Sequence, residues 1–173
     1  LEPLSWFKYR PMIFVNLRFD LPRVLPETFF WIPGQEHPFF RLTEPTRSMP
    51  WLAPPGKSLV TADIGCEVDG DLWRMSDDAL GTLCLSHVDR IFPGVHAQYL
   101  GCRVLRTPIA YPVFLREYES TRRRFEASTG IRGLVSIGRN GEFAHLLMED
   151  VYWRTLRKMR ALIAAESDRP SAA

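Results

Sequence analysis

No stretch of this 173-residue sequence approaches the roughly 20 consecutive apolar residues that a helix needs to cross a bilayer. Charge of one sign is also lacking. The 22 basic residues face 20 acidic ones, and a net charge of +2 provides no field to draw nucleic acid or an anionic membrane surface. Nor is there an aromatic–basic platform of the kind that stacks bases. Cysteine is scarce: Cys66, Cys84 and Cys102 form an odd set, which excludes a disulfide scaffold and points to reduced thiols in a cytoplasmic setting. The histidines at 37, 87, 96 and 145 fall at no metal-ligand spacing, so no metal is expected. Ser48, Ser58 and Ser136 lack the strand–turn–helix surroundings of a nucleophile, which argues against a hydrolase. Internal repeats, low-complexity tracts and a basic leader with a cleavage site are missing as well. What is present is core material: 46% hydrophobic and 12% aromatic residues, enough for a folded chain in which about 70% of the surface is buried.

The first half reads as β. Ile13, Val15, Leu17 and Phe19 alternate with Phe14, Asn16, Arg18 and Asp20, the period of a half-buried strand. Short strands are expected at 28–32 and 38–43, and a longer one at 57–68, closed by the turn residues Asp69 and Gly70. The proline-rich residues 51–56 cannot form a central strand. The second half alternates helix and strand. Ser76 followed by Asp77 and Asp78 is a helix start, a hydroxyl cap with carboxylates at the positive end of the dipole. Leu80, Leu83, Cys84, His87, Val88 and Ile91 then share one face, and Pro93-Gly94 ends the helix. A strand is expected over 99–109, up to Pro108. A helix is expected over 113–128, with Phe114, Tyr118, Thr121 and Phe125 on one face and a Glu119–Arg123 pair. Residues 134–137 read as a short buried strand. The last helix is expected over about 146–164, burying Met148, Tyr152, Leu156, Met159 and Ile163, with a frayed tail beyond 166.

The most informative stretch is 130–150, which reads as strand, glycine-rich turn and helix. Gly138 and Gly141 permit positive φ and close backbone approach, and the following helix offers unpaired N–H groups to an electron-rich ligand. Gly138-Arg139, Gly141, Phe143 and Met148-Glu149-Asp150 resemble the C-terminal flavin-contacting segment of the FAD-dependent amine oxidase superfamily. Upstream, the stretches beginning at Pro38, Pro55, Gly70, Ser76 and Arg106 resemble its substrate-domain half. The resemblance spans about residues 9–164 and looks closest to the protoporphyrinogen-oxidase-like and UDP-galactopyranose-mutase-like branch.

That resemblance implies an α+β fold: a mostly antiparallel substrate-domain sheet with helices over 1–128, the last strand and helix of an FAD-binding domain over 129–166, and a disordered tail over 167–173. It implies FAD as cofactor, contacted by Gly138, Arg139, Gly141, Leu147, Met148 and Glu149. Arg139 would pair with the diphosphate, and the helix start would face the pyrimidine edge of the ring. Tyr111 would lie at the boundary of the flavin and substrate cavities, and Arg41, a charge inside an apolar strand, is a candidate for the small-molecule substrate. No proton-transfer residue is implied, because the flavin carries the electrons. Leu147 stands where the family usually has Asn, and Arg157 and Lys158 where Gly is common. The dinucleotide fingerprint G-x-G-x-x-G is not in this sequence. Tight FAD binding and turnover are therefore expected only with an N-terminal FAD-binding half. Without that half, exposed apolar surface would favour a homo-oligomer. The alternative is a non-catalytic interaction or scaffold module descended from such an enzyme. His145, just before the last helix, is the one histidine placed near the ligand. Asp77 and Asp78 are explained by capping, Cys66 and Cys84 by core packing, and Arg122–Arg124 by a solvated helix face.

Overall fold

The strongest pattern in the sequence forms an interior strand of the sheet. In a computed structural model describing residues 7–116, 119–127, 129–131 and 133–167, β1 is Tyr9–Phe19, and Ile13, Val15, Leu17 and Phe19 are fully buried. β2 (Phe29–Trp31), β3 (Arg41–Thr43), β4 (Ser58–Gly65) and β5 (Tyr99–Pro112) complete a five-stranded antiparallel sheet in the order β2-β3-β4-β1-β5. Register places Ile13 opposite Ile64, Val15 opposite Ala62 and Leu17 opposite Val60, with Leu42 of β3 on the far side of Ala62. One face is thereby apolar across three strands. The proline-rich segment stays out of the sheet, as expected, with a 3-10 turn at Pro50–Leu52.

A helix covers that face. After the single turn α1 (Asp71–Arg74), α2 (Asp77–Ile91) lays Leu80, Cys84, Leu85 and Val88 onto the sheet. Each such aliphatic side chain contributes about 2 kcal/mol by leaving water. Burial pushes the Cys84 thiol up to about 12, so it behaves as a small apolar group. The start of α2 is fixed as the sequence implies: the Ser76 hydroxyl oxygen accepts the Ala79 N–H at 3.2 Å. Arg106 of β5 ties the α1–α2 junction to the sheet, donating to the Trp73 and Met75 carbonyls at 3.2 and 2.7 Å and to Asp77 at 2.7 Å. Glu44, fully buried, accepts the Leu25 N–H at 2.6 Å and the Val24 N–H, which organises the proline-interrupted chain after β1.

The sheet and α2 belong to a compact unit formed by Arg10–Ala110. A second unit, Leu1–Tyr9 with Tyr111–Ala173, holds α3 (Glu119–Ala127), the single turn α4 (Gly138–Gly141) and α5 (Met148–Ser167). The boundary read at 128/129 falls inside this second unit.

Several expectations change. β5 continues through Pro108 to Pro112, because it is an edge strand and a missing N–H on its open side disturbs no ladder. The helix expected from 113 starts at Glu119, and Phe114 lies before it; Tyr118 and Ser128 fall outside the described residues, as does the tail after 167. Residues 134–137 form no strand. They have no strand to pair with among the described residues; the Leu134 N–H donates to Ile131, and the Leu134 carbonyl accepts from the Thr129 hydroxyl. The stripe expected to be buried on α5 is largely open, with Tyr152 61% and Ile163 64% exposed. No helix among the described residues is long and apolar enough to cross a membrane.

Candidate functional site

Local chemistry shapes the loop before α5. Ile137 is extended, and Gly138 adopts φ 85°, a conformation that favours glycine. A Cβ built on Gly138 would meet nothing within 4 Å, so that side of the turn is open. Gly141 is required for a different reason: a Cβ there would fall 2.8 Å from Ser136 Oγ, whose hydroxyl donates to the Gly141 carbonyl at 2.6 Å. The turn closes through the Glu142 N–H on the Gly138 carbonyl (2.8 Å) and the Ala144 N–H on that of Arg139 (3.1 Å). Phe143 holds φ 47°, a strained value for a bulky residue. An aromatic cluster keeps it there, with ring centroids of Phe7, Tyr9 and Phe114 at 4.6, 5.4 and 5.8 Å.

The nominated residues of this unit divide between loop and helix start. Arg139 donates from Nε and Nη2 to the Leu146 carbonyl at 2.9 and 2.6 Å, bracing the loop from end to end. Its guanidinium also lies over the Tyr111 ring, 5.6 Å from the centroid, so two residues nominated for different roles come together. The Leu147 N–H is capped by Asp150 Oδ2 at 3.0 Å. Met148 and Glu149 follow as the first residues of α5, where N–H groups have no carbonyl one turn back. The Met148 side chain is 90% exposed and that of Leu147 is also open.

Sequence reasoning missed Glu142. It is fully buried, and Arg154 reaches its Oε2 at 2.6 Å while Lys158 Nζ lies 3.3 Å from Oε1. The pair of cations at i and i+4 on α5 was a visible signal, but nothing local points to a partner twelve residues earlier. Beside it lies a hollow of about 810 Å³ walled by Phe114, Phe143 and Leu146 and edged by Arg116, Arg122 and Arg154; His145 also lines it. Glu119 at its margin accepts from Arg122 and Arg123 at 2.8 and 2.9 Å, and these bonds hold its carboxyl down to about 2.

Arg41 lies in the other unit, on the face of the sheet away from α2. Register aligns Trp31, Arg41, Asp63 and Phe14 in one cross-strand row and Phe29, Thr43, Thr61 and Asn16 in the next. Arg41 Nε donates to Asp63 Oδ2 at 2.7 Å, Nη2 donates to the same oxygen, and the guanidinium stacks 5.4 Å from the Trp31 centroid. Asp63 is 2% exposed. Burial raises its pKa and Arg41 opposes the rise. Of the neighbouring phenylalanines, Phe39 is in the core, and Phe40 is exposed and stacked on Trp31.

An α+β unit of this kind, an antiparallel sheet backed by one helix and continued by a loop and long helix, is a fold found within larger solved proteins. Over 81% of this chain the backbone matches a reduced UDP-galactopyranose mutase at a TM-score of 0.64 and 14% identity. It matches an Exiguobacterium protein provisionally assigned as a protoporphyrinogen oxidase over 81% of the chain at 0.63 and 16% identity. The chain spans only 30% and 32% of those two proteins. No family model matches the sequence, and no curated protein matches it.

Proposed function

We propose that this chain is the C-terminal portion of an FAD-dependent oxidoreductase of the flavin amine oxidase kind, which oxidises a small organic substrate by hydride transfer. The observation that carries this reading is the shared fold over 81% of the chain together with coverage of less than a third of either matched protein. An N-terminal dinucleotide-binding half would supply the remainder and cover the open apolar side chains of Met148, Tyr152, Trp153 and Ile163. Alone, the chain would use that surface to self-associate.

The loop suits such a cofactor. The side of Gly138 on which a Cβ would stand is open, and Gly141 keeps the turn tight. Arg139 spends Nε and Nη2 on Leu146, leaving Nη1 to approach a phosphate oxygen. The N–H groups of Met148 and Glu149 point from the positive end of α5, where they would favour electron density on a facing ring edge, with Leu147 packing beside it. FAD, when bound, supplies the hydride acceptor. Tyr111, stacked on Arg139, would border the substrate, and the row containing Arg41 would form part of a substrate-facing wall. A second reading, a non-catalytic module, is favoured by the capping of the Leu147 N–H by Asp150.

The test is flavin absorbance of the product of the complete reading frame that carries this sequence, against this chain alone, each titrated with FAD. The longer product is expected to take up FAD and Arg139→Met to weaken it by about tenfold, roughly the 1.4 kcal/mol of one charge-assisted hydrogen bond. A longer product that stays colourless at saturating FAD would overturn the oxidoreductase reading in favour of the module.

A further inference from the structure

Two imidazoles meet inside the Arg10–Ala110 unit. His37 Nδ1 and His87 Nδ1 are 3.1 Å apart, and the rings cross at 75° with centroids 5.2 Å apart. His37 belongs to the connection between β2 and β3, and His87 to the sheet-facing side of α2. The His37 side chain is only 11% exposed, and it stacks on Phe39 at 5.7 Å. Phe39 is itself in the core and meets the edge of His87 at 6.3 Å. The contact therefore joins the β2–β3 connection to the helix that closes the core.

We propose that the His37–His87 contact is an acid-released latch that holds the β2–β3 connection against α2. One Nδ1 must carry the hydrogen and the other must accept it. The neutral pair keeps this bond, and so does a pair bearing one extra proton on the donor ring. A second extra proton leaves two N–H groups facing each other at 3.1 Å and two cations in contact. The charged groups facing the pair are Glu36, whose Oε1 is 3.6 Å from His37 Nε2, and Arg90, one turn beyond His87 on α2. Glu36 offsets charge on His37, whereas Arg90 opposes charge on His87. Burial, the facing His37 and Arg90 all lower the pKa of His87. The sign follows: a histidine that resists protonation when folded stabilises the latch above the ordinary value of 6.5, and that contribution is lost as pH falls through its lowered value. The connection that would be freed leads directly into Arg41 of β3.

The experiment is hydrogen exchange of the Ile32 and Phe40 amides, which bracket the connection and donate to the Phe40 and Asp63 carbonyls, corrected for intrinsic rates, on the full chain between pH 7.5 and 5, with imidazole nitrogen shifts recorded on the same samples. Protection is expected to fall by about tenfold across this range as the second proton opens the contact locally. The fall should vanish in His87→Gln and in His37→Gln, and persist in His96→Gln, which changes an exposed histidine outside the contact. At neutral pH the shifts should report one donor Nδ1 and one acceptor Nδ1. Flat protection in the unsubstituted chain, a fall that survives both latch substitutions, or two rings titrating independently would each overturn the latch. The nitrogen shifts decide the matter on the unsubstituted chain even where a variant fails to fold. The latch does not depend on flavin binding, so the two proposals fail separately.

Discussion

The Arg10–Ala110 unit and the unit that follows it use apolar residues in opposite ways. In the first, alternation on β1 and the helical period on α2 meet across one sheet face, and Val15, Ala62, Leu80 and Val88 are all at 0% exposure. In the second, α5 carries an equally regular stripe, yet Met148, Tyr152 and Ile163 are 90%, 61% and 64% exposed. Periodicity thus identifies which side chains should share a face. Whether that face is covered depends on what stands opposite it.

The contrast is open to direct attack, and the sharpest blow is a pair of truncations. Leu80→Ala should cost about 3 kcal/mol by leaving a cavity between α2 and the sheet, whereas Tyr152→Ser should change the unfolding free energy of this chain by less than about 0.5 kcal/mol. Urea denaturation of the two variants checks this, and equal losses would mean that α5 is packed as tightly as α2. A smaller effect is expected at the sheet's polar face. Arg41→Met removes the only cation bonded to Asp63 among the described residues and leaves a buried carboxylate unpaired, for a loss of about 2 kcal/mol at neutral pH. Because burial raises the Asp63 pKa, that loss should shrink in acid as the carboxyl is protonated; an acid-insensitive loss would show that the guanidinium acts by packing on Trp31. The smallest effect concerns Glu119. Its carboxyl is held well below the ordinary 4.5, so its contribution to α3 is present above that value and is lost as pH falls towards about 2. Circular dichroism between pH 5 and 2 should register a loss of helix that Glu119→Gln has already suffered at pH 5.

Legibility followed the same divide. β1, β4 and α2 were readable to within a few residues because propensity, capping and tertiary burial agree there: Ser76 caps the helix that its position implies, and Ile13 to Phe19 face the core that their alternation implies. Around the candidate loop, the turn at Gly138 and the start of the last helix were visible, but the strand expected over 134–137 was not realised, because a strand requires a neighbour and none lies there among the described residues. The contacts of Arg139 with Leu146 and Tyr111, and of Glu142 with Arg154 and Lys158, were also invisible. Charged side chains choose partners by proximity after folding, and no spacing rule links positions so far apart.

Both margins of the sheet are blunted, one by the brevity of β2 and the other by Pro108 and Pro112 in β5. Such margins are poor templates for adding a foreign strand. Clumping of this chain at high concentration should therefore proceed through its greasy helical flank and yield amorphous, dye-negative precipitate in place of ordered amyloid fibrils.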